Sequence, residues 1–170
     1  LGRDVEAMDY SYLTSDTLRN EFGQATFFTA TDGNHGRGVA WAARQLHQRA
    51  VVHMPKGSVK IGYDNIAREG AQVTIENVNY DECVRIAAKE AAATPNGVVV
   101  QDTAWEGYEE IPSYIMQGYG TMAREAADQF VAATGGAPTH VLIQAGVGSL
   151  AGAVQGYLFN RFAENPPVVT

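Results

Sequence analysis

Asp32, Asn34 and His35 sit in one polar loop, spaced and closed by Gly33 and Gly36, within the stretch "FFTATDGNHGRGVAWAARQL" from Phe27 to Leu46. An acid, an amide and an imidazole are gathered there, and the glycines let backbone N–H groups approach something closely. A small, polar, anionic ligand is the expectation. A second loop, Gly146, Val147, Gly148, Ser149 and Leu150, stands between an apolar run and a helix in "VLIQAGVGSLAGAVQGYLF". Its glycines allow N–H groups to converge, and the helix N-terminus adds partial positive charge, which suits a phosphate. A tight strand-to-helix turn with glycines for packing is the plainer alternative. A third feature, Asp102, ends the apolar run "VVVQD", where it can serve as a reacting acid or as a loop acid satisfied by local N–H groups.

Strands and helices must alternate to place these loops. Ser15 and Asp16 cap a short helix through Phe22, and Thr26 to Ala30 form a strand of β-branched and aromatic residues. After the first loop, Val39, Ala42, Ala43 and Leu46 mark one apolar helix face, followed by the strand "AVVHM". "SVKIGYDNIAREGA" predicts a helix stopped by Gly70, "QVTIEN" a strand, Asp81 to Ala93 a helix broken by "TPNG", and "VVVQD" a buried strand. The long segment "IPSYIMQGYGTMAREAADQFVAAT" predicts a helix with Pro112 in its first turn, followed by the strand "THVLIQ" and a last helix to about Ala163. This beat predicts an α/β fold: open parallel sheets with flanking helices in three αβα layers, and ligands at the loops leaving the strands' carboxyl ends.

Composition narrows the field of functions. The chain has 170 residues, 45% hydrophobic, enough for one good core or two small lobes sharing a crevice. A net charge of −7 and a pI near 5.0 argue against nucleic acid or membrane surfaces as partners. Cys83 is the single cysteine, in a helical setting where a lone thiol is usually a small core residue, and a reducing, cytoplasmic location is the expectation. No stretch approaches the roughly 18 apolar residues that span a bilayer. His47, His53 and His140 have no metal-ligand grouping and are expected to be structural.

Two nucleotide signatures fit poorly. The phosphate loop G-x-x-x-x-G-K-[ST] is absent, and a dinucleotide G-x-G-x-x-G would have to use Gly146, Gly148 and Ala151, with Glu164 or a neighbour as its acid. Taken together, "TDGNHGRG" after an early strand and "AGVGSLAG" after a late one resemble the fold type II pyridoxal-phosphate enzymes, tryptophan synthase β-like in architecture. The resemblance covers nearly the whole chain. It implies that the first loop, through Thr31, Gly33 and His35, meets a substrate carboxylate, and that Asn34 stands beside the 3′ oxygen of pyridoxal 5′-phosphate. Gly146, Val147, Gly148, Ser149 and Leu150 would cradle the cofactor's phosphate.

Most members carry Ser or Thr where this chain has Asp32. An acid there, with "VVQDTAWEGYEEIP", resembles the diaminopropionate ammonia-lyase branch, which implies proton transfer and amino-group recognition by Asp32 and Asp102. A carboxylate also suits a substrate bearing a second, cationic amino group. The implied substrate is a small amino acid, and the implied assembly a homodimer. A serine or threonine dehydratase is the neighbouring reading, with Asp32 against it; an Asp before Gly-Asn also simply shapes turns or caps helices.

One departure stands out. Enzymes of this kind need a lysine for covalent cofactor attachment. Lys56, Lys60 and Lys89 all lie in surface-type segments, and Leu1-Gly2 resembles the pair just after that lysine. The resemblance therefore implies an internal portion of a longer enzyme: residues 1–24 from the large domain, 25–110 the small α/β domain, and 111–170 the start of the large cofactor-binding domain. A phosphate-binding piece without turnover is the non-enzyme alternative.

Overall fold

Strand propensity and helix punctuation translate directly into structure. The computed structural model describes residues 8–170; Leu1-Gly2 and its neighbours lie outside the described residues. In chain order the elements are α1 (Tyr10–Leu13), α2 (Asp16–Phe22), β1 (Thr26–Ala30), α3 (Asn34–Gln45), β2 (Arg49–Met54), α4 (Lys60–Arg68) and β3 (Gln72–Ile75). They continue with α5 (Tyr80–Ala93), β4 (Gly97–Val99), α6 (Glu110–Thr134), β5 (His140–Val141), α7 (Ser149–Arg161) and β6 (Val168–Val169). Ser15 caps α2 as its type predicts, its Oγ accepting from Leu18 N at 3.2 Å.

The described residues form two compact units, divided between Gln101 and Asp102. In the first, four parallel strands run in the order β3-β2-β1-β4. Helices α3 and α4 cover one face, where Ala40, Ala43, Val52, Met54 and Ile66 make the main core, and α5 covers the other, with Ala87 and Ala91 against Phe28. The three αβα layers expected from the alternation are thus present.

On α3 the buried face is Gly36, Val39, Ala40 and Ala43, so Ala40 takes the place that apolar spacing assigned to Ala42. Glu69, at the end of α4, holds this helix from the side: Arg44 Nη2 lies 3.0 Å and Arg37 Nε 3.4 Å from its carboxylate. Cys83 is fully buried, and burial pushes its thiol up from the ordinary value.

In the second unit α6 packs on α7 through Ala123, Ala127, Val154 and Leu158. The expected strand "THVLIQ" is shorter than its β-branched run suggests, because only Val168 and Val169 pair with it; one further bond, Ile143 N to Thr170 O at 2.9 Å, prolongs the contact.

Candidate active site

The carboxyl end of β1 delivers the chain into the first loop. Thr31 is buried, and its Oγ1 accepts from Gly33 N at 2.9 Å and Gly36 N at 3.0 Å. The amides that the glycine spacing frees are therefore taken by the loop's own threonine. Gly36 must be glycine for this: a Cβ there would run into the Thr31 side chain. Thr31, expected to meet substrate, spends its oxygen on shaping the loop.

That internal closure pushes the reactive types outward. Asp32 and Asn34 are exposed, Asn34 as the first residue of α3, while Gly33 forms its N-cap with no side-chain capping bond. His35 turns inward, its Nε2 2.8 Å from Val100 O. A carbonyl only accepts, so Nε2 carries the hydrogen.

Sequence reasoning missed Gln101. It is fully buried, its Oε1 accepts from Ala30 N and Thr29 Oγ1, both at 3.0 Å, and its Nε2 donates to Tyr80 OH at 2.7 Å. The available signal was a carboxamide ending an apolar strand, since a buried amide must find partners. His53 was also passed over as a group: it is buried with Glu76 Oε1 3.1 Å from Nδ1 and Glu90 Oε2 3.2 Å from Nε2. The Thr74 hydroxyl and His53 hold the Glu76 carboxyl below its ordinary value. Among the described residues no group of three or more His, Cys, Asp or Glu could hold a metal.

The remaining site residues belong to the second unit. Asp102 is half-buried, and its charge, after burial, helps push the Tyr119 phenol upward. Gly146, Val147 and Gly148 are exposed, and Ser149 and Leu150 open α7. Gly148 is the N-cap in a left-handed conformation, φ 95°, with no side-chain capping bond and no acidic residue in the first turn of α7. The positive end of the helix is thus not neutralised by its own first turn, and the loop fits a phosphate.

The lysines do not complete a cofactor site. All three are exposed, and Lys60 pairs with Asp64 at 2.7 Å. The residues present therefore fit the phosphate of pyridoxal phosphate but not its covalent attachment.

Comparison with known proteins follows the same line. A family model described as "Pyridoxal-phosphate dependent enzyme" matches residues 6–169. A diaminopropionate ammonia-lyase of Salmonella typhimurium is 50% identical over 164 residues, 96% of this chain and 40% of that protein. The crystal structure of diaminopropionate ammonia lyase from Escherichia coli in complex with D-serine superposes with a TM-score of 0.87 at 48% identity, over 98% of this chain and 41% of that one. The processed form of threonine deaminase isoform 2 from Solanum lycopersicum shares the fold, TM-score 0.64 at 25% identity, over 89% of this chain and 39% of that one. The chain spans about 40% of the length of the curated relatives it matches.

Proposed function

The chain belongs to the pyridoxal-phosphate dependent enzyme family, and from that premise we propose that the protein it is part of is a diaminopropionate ammonia-lyase. Such an enzyme releases the β-amino group of 2,3-diaminopropionate and yields pyruvate and ammonia. One observation carries the reading: the exposed acid Asp32 in a loop fixed by Thr31, within a chain half identical to a protein of that name.

Bound pyridoxal phosphate supplies an electron sink that makes the substrate's α-proton removable. The chain's own residues do the rest. Gly146 through Leu150 bind the phosphate with converging amides and the α7 N-terminus. Asn34 orients the ring through its 3′ oxygen, and Gly33 and His35 line the place of the substrate carboxylate. Asp32, held in one place by a rigid loop, attracts the substrate's second, cationic amino group, where a hydroxyl-bearing substrate needs only a neutral donor, and shares in proton transfer with Asp102. Asp102 recognises the distal ammonium by charge.

The attaching lysine then comes from outside these residues, as the exposed positions of Lys56, Lys60 and Lys89 support. Residues 25–110 would form the small domain, with residues 1–24 and 111–170 belonging to the large one. A homodimer in the cytoplasm completes the proposal; the buried, unpaired Cys83 is compatible with a reducing compartment.

The test is pyruvate release from each enantiomer of 2,3-diaminopropionate by the complete protein loaded with cofactor. Turnover of diaminopropionate well above that of serine and threonine is the expected result. Preference for the hydroxyl substrates would make it a dehydratase, and phosphate or cofactor binding without turnover would leave a binding module.

A further inference from the structure

The ladder between β1 and β4 ends one rung early, and two side chains stand where that rung would be. Thr26 N donates to Asn96 O at 3.1 Å, and Val100 N donates to Phe28 O at 2.9 Å, in the register Phe28↔Val99. Parallel pairing would next join Ala30 N–H to Val100 C=O. Instead Ala30 N–H goes to Gln101 Oε1 at 3.0 Å, and Val100 C=O takes the His35 Nε2 hydrogen at 2.8 Å. Ala30 N–H only donates, so the Gln101 oxygen must face it, and the amide nitrogen is thereby turned to Tyr80 OH at 2.7 Å on α5. Each broken backbone group is satisfied, so parting the strands leaves neither polar atom of the rung orphaned.

We propose that Gln101 is a positioning residue: together with His35 it replaces the last β1–β4 rung by side-chain bonds, holding the two strands apart at the start of the Thr31–Gly36 loop. The loop is anchored just where it leaves the sheet, and Asp32, two residues beyond Ala30, inherits its direction from that anchor. The bond chain Thr29, Gln101, Tyr80 ties the same point to α5. Without the Gln101 oxygen, Ala30 N–H has either no partner or the direct rung to Val100, and both alter the exit of the loop.

The structural part of this inference is independent of the reaction; its consequence for turnover rests on the proposed lyase activity. Gln101→Met keeps much of the side-chain volume but cannot accept from Ala30 N–H, whereas Gln101→Glu keeps an acceptor. In the complete, cofactor-loaded protein, amide hydrogen exchange over residues 29–36 and steady-state kinetics on diaminopropionate are read together. For Gln101→Met, exchange at Ala30 and across the loop rises about tenfold or more, while that of β2 and β3 stays unchanged. Its kcat falls about tenfold with little change in KM, as expected when a reacting group is misaimed rather than lost. Gln101→Glu recovers most of the slow exchange.

Unchanged exchange at Ala30, or a rise spread evenly over β1, β2 and β3, would overturn the proposal. Should Gln101→Met fail to fold, Gln101→Asn, one methylene short of Ala30 N–H, is read by the same local exchange. If the parent protein makes no pyruvate from diaminopropionate, the lyase reading falls while the exchange result still decides the role of Gln101.

Discussion

The two glycine-bearing loops reach opposite solutions from similar composition. The loop after β1 consumes its own amides: Thr31 takes Gly33 and Gly36 N–H, and His35 reaches back to Val100, leaving Asp32 and Asn34 exposed on a closed frame. The loop before α7 does the reverse, with Gly148 in a left-handed conformation and no side chain capping the helix. One loop closes on itself and exposes side chains; the other leaves its helix end without a side-chain cap. Glycine content alone does not separate the two arrangements; the bonds that the Thr31 hydroxyl makes do.

Breaking each loop by its own logic sharpens this contrast. A large effect is expected at Asp102, outside both loops: Asp102→Asn keeps shape and removes charge, and should lower kcat/KM for diaminopropionate by roughly 100-fold, chiefly through the distal ammonium. Steady-state kinetics check it, and a loss confined to below about threefold would return Asp102 to a loop acid.

Next, Thr31→Val leaves the amides of Gly33 and Gly36 without their acceptor, and denaturant unfolding should report a loss of about 2 kcal/mol. The comparable change in the second loop, Gly148→Ala, meets no atom within 4 Å. Its cost is therefore conformational, about 1 kcal/mol, and a weaker cofactor affinity by equilibrium titration should accompany it.

The smallest effect is a pH dependence away from both loops. The Glu76 carboxyl is held below its ordinary 4.5 by the Thr74 hydroxyl and His53. Its contribution is thus fully present above 4.5 and is lost as pH falls through the lowered folded value. Glu76→Gln should flatten the acid limb of a stability–pH curve, and an unaltered limb would show that other carboxylates set it.

Much of the frame was legible because it rests on local chemistry. Ser15 capping α2, the strand Thr26–Ala30 and the breaker before β4 follow from residue type and order. The exposure of Asp32 and Asn34 was legible from the polar, glycine-spaced make-up of their loop. It was not legible where a polar group is defined by a partner far along the chain. Gln101 meets Thr29 and Ala30 across some seventy residues of separation, and no spacing rule reaches that far. The bonds from Gly33 and Gly36 to Thr31 were not legible for a related reason: a hydroxyl beside a glycine loop can serve a ligand or the loop itself, and residue type does not distinguish the two. The shortening of "THVLIQ" to His140–Val141 is also non-local, since a strand is only as long as its partner.

The most direct test of the central claim, that Asp32 makes this a lyase for diamino rather than hydroxy substrates, is the Asp32→Ser variant of the complete protein. The measurement is the ratio of kcat/KM for diaminopropionate to that for serine, against the parent enzyme. The expected result is a fall in that ratio of about 100-fold or more, with serine turnover largely spared. An unchanged ratio, with both substrates losing equally, would contradict it and leave Asp32 as a residue that merely shapes its loop.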